Sequence, residues 1–233
     1  MKPIQLALGL SLLVAASGAA QSRGLREVRS WGFGGGGVMV GIPVGEFRNF
    51  VDVAGGLGGV IAVNLDRRGS VGLRLTGSYL QYGHERRPVA LAGTGGLLGL
   101  DLNTAFYIAS LRAGPQFVFG EGPVRLYGFG TAGVSYFATE SSLGGSGCGC
   151  WGYPSTVNYD DAVLALEGGG GLLIKLSRAV ALDLGASYVR NGPVTYLREG
   201  SISRAADGSL VLRPVRSEAN LAVAQLGVVI GLR

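Results

Sequence analysis

Several features are scarce in this chain, and each scarcity excludes a class of protein. It has 2 cysteines and 1 histidine in 233 residues, too few to complete a tetrahedral zinc site of the usual kind. Its 20 basic and 15 acidic residues make up only 15% of the chain. The basic residues are scattered, so no nucleic-acid-binding stripe forms. No stretch after residue 20 offers 18 uncharged apolar residues, which excludes an ordinary membrane-spanning helix.

Glycine and apolar residues are abundant instead. Glycine accounts for 43 residues without a Gly-X-Y period, so the chain is not collagen. Apolar residues make up 47%, too many for a disordered chain, and the mean hydropathy is +0.35. A positive mean hydropathy without a spanning helix already suggests a membrane protein of another kind.

The first residues have the features of a secretory signal. Met1–Pro3 is a short basic start, Ile4–Ala16 is apolar, and 17–20 supplies the small residues that a signal peptidase needs. The apolar block is too short to span a bilayer, which takes about 20 helical residues. We therefore expect 1–20 to be a cleaved signal peptide, followed by a short lead, 21–30.

The segment 164–176, LALEGGGGLLIKL, shows the pattern that recurs along the rest of the chain. Side chains of a strand point alternately to opposite faces. One alternate set is apolar or glycine throughout, whereas the other contains both charges, Glu167 and Lys175. The segment is therefore predicted to be a strand that lies between hydrocarbon and a polar interior.

The same alternation predicts eight strands in all. They cover 33–43, 54–66, 71–82, 105–119, 124–137, 164–176, 180–190 and 221–233. The segment 124–137 is less regular, because Tyr127 and Phe129 share a face with Arg125. These lengths are close to the ~10 residues with which a tilted strand crosses a bilayer.

Short and long connections alternate between these strands. The short ones are 67–70, 120–123 and 177–178, and they are rich in turn-forming residues. The long ones are predicted to be loops at 44–53, 83–104, 138–161 and 191–217. Such parity is typical of a transmembrane barrel with short periplasmic turns and long outer loops.

Barrel closure follows from the solvent, because hydrocarbon leaves an open sheet edge without hydrogen-bond partners. The fold class is therefore all-β, an eight-stranded antiparallel up-and-down transmembrane β-barrel over 31–233. Charges of both signs are expected to pair across its lumen. They are Asp66, Arg74, Arg112, Arg125, Glu167, Lys175 and Asp183. For the three charges near strand ends, the alternative is that water solvates them and they do not pair. These are Asp66, Arg125 and Lys175.

With these segments, the chain resembles the small bacterial outer-membrane β-barrel proteins, the OmpA/OmpX-like eight-stranded group. The strand endings AVALDLGASY and LGVVIGLR carry part of the likeness. The resemblance implies a location in the bacterial outer membrane and contact with its lipid and lipopolysaccharide. It also implies insertion by the barrel-assembly machinery, which usually reads an aromatic last residue; here the sequence stops at Arg233.

The preferred functional interpretation is non-enzymatic, with no cofactor: a structural, adhesion or surface-interaction role in which the outer loops meet an external ligand. A narrow channel is the first alternative, against which eight strands with a filled lumen argue. A soluble exported sandwich is the second alternative. A lipid-modifying enzyme is the third, and it depends on His84 alone, with Ser78 and Glu85 as its neighbours in sequence.

Structural roles are also predicted for the two cysteines and for a set of aromatic residues. Cys148 and Cys150 are a possible disulfide within the third outer loop, with free thiols or a bridge between chains as alternatives. Aromatic residues near the strand ends are expected to form an interfacial girdle. They are Trp31, Tyr79, Tyr82, Tyr107, Tyr136, Phe137, Trp151 and Tyr188.

Overall fold

β-Strands dominate the computed structural model, which describes residues 31–66, 68–90, 99–145, 155–204 and 210–232. The eight long strands are β1 Gly32–Val44, β2 Ala54–Asn64, β3 Val71–Ala90, β4 Gly99–Phe119, β5 Val124–Gly145, β6 Ser155–Lys175, β7 Val180–Asn191 and β12 Asn220–Leu232. The short strands are β8 Pro193–Tyr196, β9 Ile202–Arg204, β10 Leu210–Leu212 and β11 Val215–Glu218. Within these ranges no helix has the length and apolar character needed to cross a bilayer. The predicted signal peptide 1–20 and lead 21–30 lie outside the described residues.

The eight long strands close into a barrel in the order β1-β12-β7-β6-β5-β4-β3-β2, and every neighbouring pair is antiparallel. Closure is visible at Val38 of β1, which pairs with Leu57 of β2 on one side and with Leu226 of β12 on the other. Since every long strand has two neighbours, the barrel wall has no open edge. The predicted eight-stranded up-and-down barrel is confirmed.

The outer face of the barrel is apolar. Val38, Leu57, Ile61, Leu164 and Leu226 all point outward and are about half or more exposed. The outward row continues around the wall. A soluble protein rarely exposes a contiguous apolar band of this extent, whereas a membrane barrel requires one. The outer surface therefore lies in hydrocarbon, which excludes the soluble sandwich.

At one end of the barrel, tight turns connect the strands. In the β2–β3 turn, the Asp66 carboxylate accepts hydrogen bonds from the backbone N–H groups of Arg68 and Val71, at 3.2 and 3.0 Å. Gly69 adopts a left-handed φ of 69° there, as Gly120 does with 85° in the β4–β5 turn. The beginning of β1 and the end of β12 lie at this same end. It is the periplasmic end, because periplasmic turns are the short ones.

The prediction that 83–104 and 138–161 are outer loops is wrong over most of the length of both segments. Strands β3, β4, β5 and β6 run through them and reach 20 to 22 residues, against 11 to 13 for the other four barrel strands. Apolar alternation ends where hydrocarbon ends, but backbone pairing continues above it, so the sequence pattern ended too early. Nine extra residues extend a strand by about 30 Å along its axis.

The other two outer connections fold inward over the barrel mouth. The β1–β2 connection contains a 3-10 helix, Gly45–Asn49. The β7–β12 connection contains two small two-stranded sheets, β8 with β11 and β9 with β10. The predicted connections 44–53 and 191–217 do lie between barrel strands, and they contain short secondary structure that the sequence pattern did not indicate. Phe47 and Val194 from these segments are fully buried, because they plug the top of the lumen.

Candidate functional site

The middle of the lumen contains a buried ion pair. Arg112 Nε of β4 donates to Glu167 Oε2 of β6 at 2.9 Å, and both side chains are almost completely buried. Thr131 Oγ1 and Ser187 Oγ also donate to the Glu167 carboxylate, at 3.2 and 2.8 Å. Arg112 Nη2 donates to Ser78 Oγ at 3.3 Å. Five strands, β3 to β7, are thus linked across the lumen through one carboxylate and one guanidinium.

A second polar layer lies nearer the periplasmic end. Arg74 is 1% exposed, and its guanidinium donates to Gln116 Oε1 at 2.9 Å and to Thr76 Oγ1 at 3.1 Å. The same guanidinium lies 4.3 Å from the ring centre of Phe129 and 5.4 Å from that of Tyr127. This buried cation is held by amide, hydroxyl and aromatic faces rather than by a direct ion pair with a described carboxylate.

Asp183 belongs to the same layer. Tyr127 Oη donates to Asp183 Oδ1 at 2.7 Å, and Gln225 Nε2 donates to Asp183 Oδ2 at 2.6 Å. Tyr127 therefore connects the Arg74 side of the lumen with the Asp183 side. Its inward position explains why segment 124–137 departs from the apolar-outward pattern, because Tyr127 and Phe129 point into the lumen and not into the lipid.

Two glycines leave the space that the Tyr127 hydroxyl occupies. A Cβ added to Gly171 would lie 2.7 Å from Tyr127 Oη, and one added to Gly185 would lie 2.6 Å from the same atom. At Gly185 a larger residue would push the phenol away from Asp183, whereas at Gly171 it would also meet the Leu184 carbonyl. Part of the glycine content of 164–176 is thus explained by side-chain packing inside the lumen.

The remaining predicted lumen charges lie at the periplasmic end, outside these two layers. Asp66 is occupied by its own turn, as described above. Arg125 Nη2 makes a long contact of 3.5 Å with the Gly69 carbonyl, and Lys175 is exposed. No described ion pair joins Asp66, Arg125 or Lys175 to another residue. The structure therefore brings together four of the seven predicted charges, Arg74, Arg112, Glu167 and Asp183, in two neighbouring layers.

An aromatic plug closes the lumen at the outer end. We define it as Phe47, Tyr82, Phe106, Phe137 and Tyr196, all at most 8% exposed. Phe47 makes edge-on contacts with three of the others, at centroid distances of 5.2 to 6.4 Å. Tyr82 Oη donates to the Leu197 carbonyl at 2.9 Å, and the Tyr196 hydroxyl pairs with Ser217 Oγ at 2.8 Å. Burial in the plug raises the pKa of Tyr196.

Little space remains between the plug and the ion pair. The cavity there has a volume of about 10 Å³, and its lining includes Leu80, Ile108 and Arg112. A cavity needs roughly 10–15 Å³ to hold one water molecule. This part of the lumen is therefore packed rather than open.

The aromatic girdle is predicted correctly only in part. Trp31, Tyr79 and Tyr188 are 44 to 51% exposed on the outer surface, and Tyr79 stacks on Tyr107 at 5.0 Å. Tyr136 Oη donates to Asp160 at 3.0 Å. Tyr82 and Phe137, by contrast, belong to the aromatic plug, so their assignment to the girdle is wrong. Trp151 lies outside the described residues.

The residues considered for catalysis do not form a site. His84 is exposed on β3, where its backbone N–H donates to Glu199 Oε1 at 2.8 Å, and its imidazole has no hydrogen bond with a described residue. Ser78 is inside the lumen beside Arg112, and Glu85 pairs with Arg87. Within the described ranges no group of three or more metal-ligating side chains occurs. Cys148 and Cys150 lie outside the described residues.

Sequence reasoning missed the neutral partners of the lumen charges. Gln116, Thr131 and Gln225 complete the hydrogen bonds of Arg74, Glu167 and Asp183. Each is a polar residue in the inward set of its strand, which is the signal that could have identified it. Phe47 and Tyr196 carried no such signal, because they come from connections without a periodic pattern.

The closed wall, the apolar outer surface and the polar interior define a class: an eight-stranded outer-membrane β-barrel. No protein-family model and no curated protein sequence matches the chain. Among solved structures, it is similar to Ail, the attachment invasion locus protein of Yersinia pestis, with 17% identity, 85% of this chain and 97% of that chain covered, and a TM-score of 0.42.

Two further solved structures are similar in the same way. For Neisserial surface protein A the identity is 13%, with coverage of 87% and 98% and a TM-score of 0.45. For the outer membrane protein OprG from Pseudomonas aeruginosa the identity is 15%, with coverage of 87% and 96% and a TM-score of 0.46. The assignment of this chain to the bacterial outer membrane rests on its own closed, apolar-faced barrel.

Proposed function

We propose that this protein is a non-enzymatic surface-interaction protein whose binding element is a sheet that rises above the membrane. We call it the protruding sheet and define it as 83–90, 99–107, 138–145 and 155–164 of β3 to β6. It begins where the barrel loses two strands: β2 pairs with β3 only up to Gln81, and β7 pairs with β6 only from Ala165. The observation that carries the proposal is this sheet on top of a plugged barrel.

The protruding sheet is braced at its base by the β7–β12 connection. Glu199 accepts from the backbone N–H of His84 on β3, and Asp161 on β6 accepts from the N–H of Thr195 at 2.8 Å. The connection thereby contacts both edge strands. A braced sheet presents a preorganised surface, which lowers the entropic cost of binding a partner.

The upper part of the sheet offers accessible polar and apolar groups together. Val157 is 48% exposed, Asp160 is exposed, and Arg86 is exposed at the opposite edge strand. Free strand edges can add a strand from another chain. This mixture supports a protein or glycan at the cell surface as the partner class.

The alternative functions have less support. A channel would need a continuous opening, whereas the aromatic plug and the Arg112–Glu167 layer both fill the lumen. A lipid-modifying enzyme would need a base beside a nucleophile, whereas Ser78 faces the lumen and His84 is exposed at the sheet. The first feature argues against a channel and the second against an enzyme, so both favour the surface-interaction interpretation.

Export and assembly complete the proposal. A cleaved signal at 1–20, insertion by the barrel-assembly machinery and contact with lipopolysaccharide are consistent with an outer-membrane barrel. The Cys148–Cys150 disulfide stays a prediction, and counting free thiols in the unreduced protein would decide it.

A trimmed variant tests the proposal. Glu85 pairs with Thr104, Thr104 with Ser141, and Ser141 with Thr156, so removing 86–103 and 142–155 cuts the sheet at one level. Each cut is closed with an Asn-Gly turn. Cells displaying either protein are compared for adhesion to glass, for aggregation and for binding to arrays of matrix proteins and glycans.

The full protein is expected to bind at least one of these surfaces and the trimmed protein none, at equal surface amounts. Glu121→Gln, in the exposed β4–β5 turn at the opposite end of the barrel, serves as the control and should bind like the full protein. Equal binding by the full and trimmed proteins would contradict the proposal. Lipid A modification that disappears in His84→Ala would instead establish the enzymatic alternative.

A further inference from the structure

The periplasmic end of the lumen is open, unlike the outer end. A cavity of about 220 Å³ lies inside the mouth, between the β2–β3 turn, the β4–β5 turn and the β6–β7 turn. Its lining includes Arg125, Lys175 and Arg178. We refer to it as the mouth cavity.

The described lining of the mouth cavity carries only positive charge. It has three basic residues, Arg125, Lys175 and Arg178, and no aspartate or glutamate. None of the three lies within 4.0 Å of a described carboxylate. Asp66 belongs to the β2–β3 turn beside the cavity, but its carboxylate accepts hydrogen bonds from two backbone N–H groups of that turn.

Two of these cations are neighbours on the inner wall. Arg125 of β5 pairs with Leu173 of β6, and Lys175 follows two residues later on the same face, so the two are diagonal neighbours. Like charges at such positions repel each other. An anion between them would replace this repulsion with attraction.

The Arg125 head group also lacks hydrogen-bond partners. Its Nε is buried and donates to no described atom, and its Nη2 makes only the 3.5 Å contact with the Gly69 carbonyl. A guanidinium has five N–H donors in a planar fork that matches the oxygens of a phosphate. The guanidinium groups of Arg74 and Arg112, in the two polar layers of the lumen, have more hydrogen-bond partners than that of Arg125.

The floor of the cavity is apolar. The wall that separates it from the lumen interior consists of Phe33, Val118, Leu173 and Val229. Together with Val60 and Tyr127, these residues form the lower apolar cluster of the lumen. A basic rim over an apolar floor suits a ligand with an anionic head and a short carbon portion.

We propose that the mouth cavity binds a phosphate ester, with Arg125, Lys175 and Arg178 contacting the phosphate and the apolar floor contacting the adjoining carbon atoms. Two sources share this chemistry. One is the glycerophosphate headgroup of a phospholipid in the periplasmic leaflet, and the other is a soluble phosphate ester of the periplasm. The proposal does not depend on the function assigned to the protruding sheet.

The first measurement uses the full protein, refolded in an uncharged detergent and titrated calorimetrically with sn-glycerol 3-phosphate. Saturable binding is expected, and glycerol should not bind. Lys175→Gln and Arg178→Gln should each weaken binding by about tenfold, the effect of one lost charge-assisted hydrogen bond. Both residues are exposed, so the variants should remain folded, which a heat-modifiability gel checks.

Arg213→Gln is the matched control, because Arg213 is also an exposed arginine but lies in the outer connection. It should bind like the unaltered protein. Absence of saturable binding would overturn the proposal. So would affinities that Lys175→Gln and Arg178→Gln leave unchanged, or competition by chloride as strong as that by phosphate.

A second measurement separates the two sources. The protein is placed in nanodiscs of phosphatidylglycerol or of phosphatidylcholine, and glycerol 3-phosphate is titrated into each. If the phosphatidylglycerol headgroup occupies the cavity, these discs should block the titration and native mass spectrometry should show a retained lipid that Lys175→Gln releases. If the ligand is soluble, both discs should give the same affinity. Either result supports a phosphate site and identifies its source.

Discussion

Glu167 is the residue on which most lumen contacts converge. It accepts hydrogen bonds from Arg112, Thr131 and Ser187, which lie on three different strands. Because its carboxylate is almost completely buried, its charge depends on these partners rather than on water. Breaking a buried pair by changing one partner leaves an uncompensated charge.

Glu167→Gln should therefore destabilise the barrel by about 3 kcal/mol, because it leaves the Arg112 guanidinium buried without a counter-charge. Urea unfolding in lipid vesicles, followed by tryptophan fluorescence, measures the difference. Glu121→Gln, in the exposed β4–β5 turn, is the control and should change little. Combining Glu167→Gln with Arg112→Gln should recover part of the loss; a double variant as unstable as the sum of both single variants would contradict a direct coupling.

Gly185 is a second residue at which a substitution is expected to be costly. Gly185→Ala should cost about 1–3 kcal/mol, because the new Cβ would lie 2.6 Å from Tyr127 Oη. In a Tyr127→Phe background the same substitution should cost less, since the clashing oxygen is gone. Gly130→Ala is the control, as a Cβ there would meet nothing within 4 Å. The same unfolding assay tests this, and equal costs in both backgrounds would refute the steric explanation.

At the scale of elements, the periplasmic turns and the long strands have different causes. The turns depend on local chemistry, such as the Asp66 hydrogen bonds and the left-handed glycines. The long strands β3 to β6 depend on pairing with one another, which continues beyond the bilayer. For this reason the turns could be predicted from the sequence, whereas the strand lengths could not.

The β2–β3 turn is expected to depend on pH. The hydrogen bond from the Val71 N–H is the main cause of a lowered pKa for Asp66, opposed by some desolvation. A lowered folded-state pKa means that the contribution of Asp66 to stability is present above its unfolded value, near 3.8, and is lost as the pH falls through the folded-state pKa. Unfolding midpoints measured from pH 7 down to pH 2 should drop as the pH falls below 3.8.

Asp66→Asn should remove that part of the acid dependence and lower the midpoint at neutral pH. Asp52→Asn, in the β1–β2 connection, is a matched carboxylate that accepts no described hydrogen bond and should leave the profile unchanged. An unaltered profile in Asp66→Asn would show that the turn carboxylate has no role in acid stability.

At the scale of the whole molecule, the barrel should not conduct. The aromatic plug and the Arg112–Glu167 layer obstruct the lumen in series, and the cavity between them is about 10 Å³. Planar-bilayer recordings of the full protein should show no steady single-channel current. Phe47→Ala should leave it closed, because the polar layer below the plug is unchanged. Steady currents from the unaltered protein would restore the channel alternative.

Much of this architecture followed from the sequence alone. Alternating apolar residues specified eight strands, the inward face and the charges Arg74, Arg112, Glu167 and Asp183, because hydrocarbon imposes a period of two on every spanning strand. Tertiary structure decided which partners those charges have, how far β3 to β6 rise above the membrane, and how Phe47 and Tyr196 plug the lumen. These features depend on contacts between segments distant in sequence and on surfaces in water, where no solvent-imposed period marks a strand.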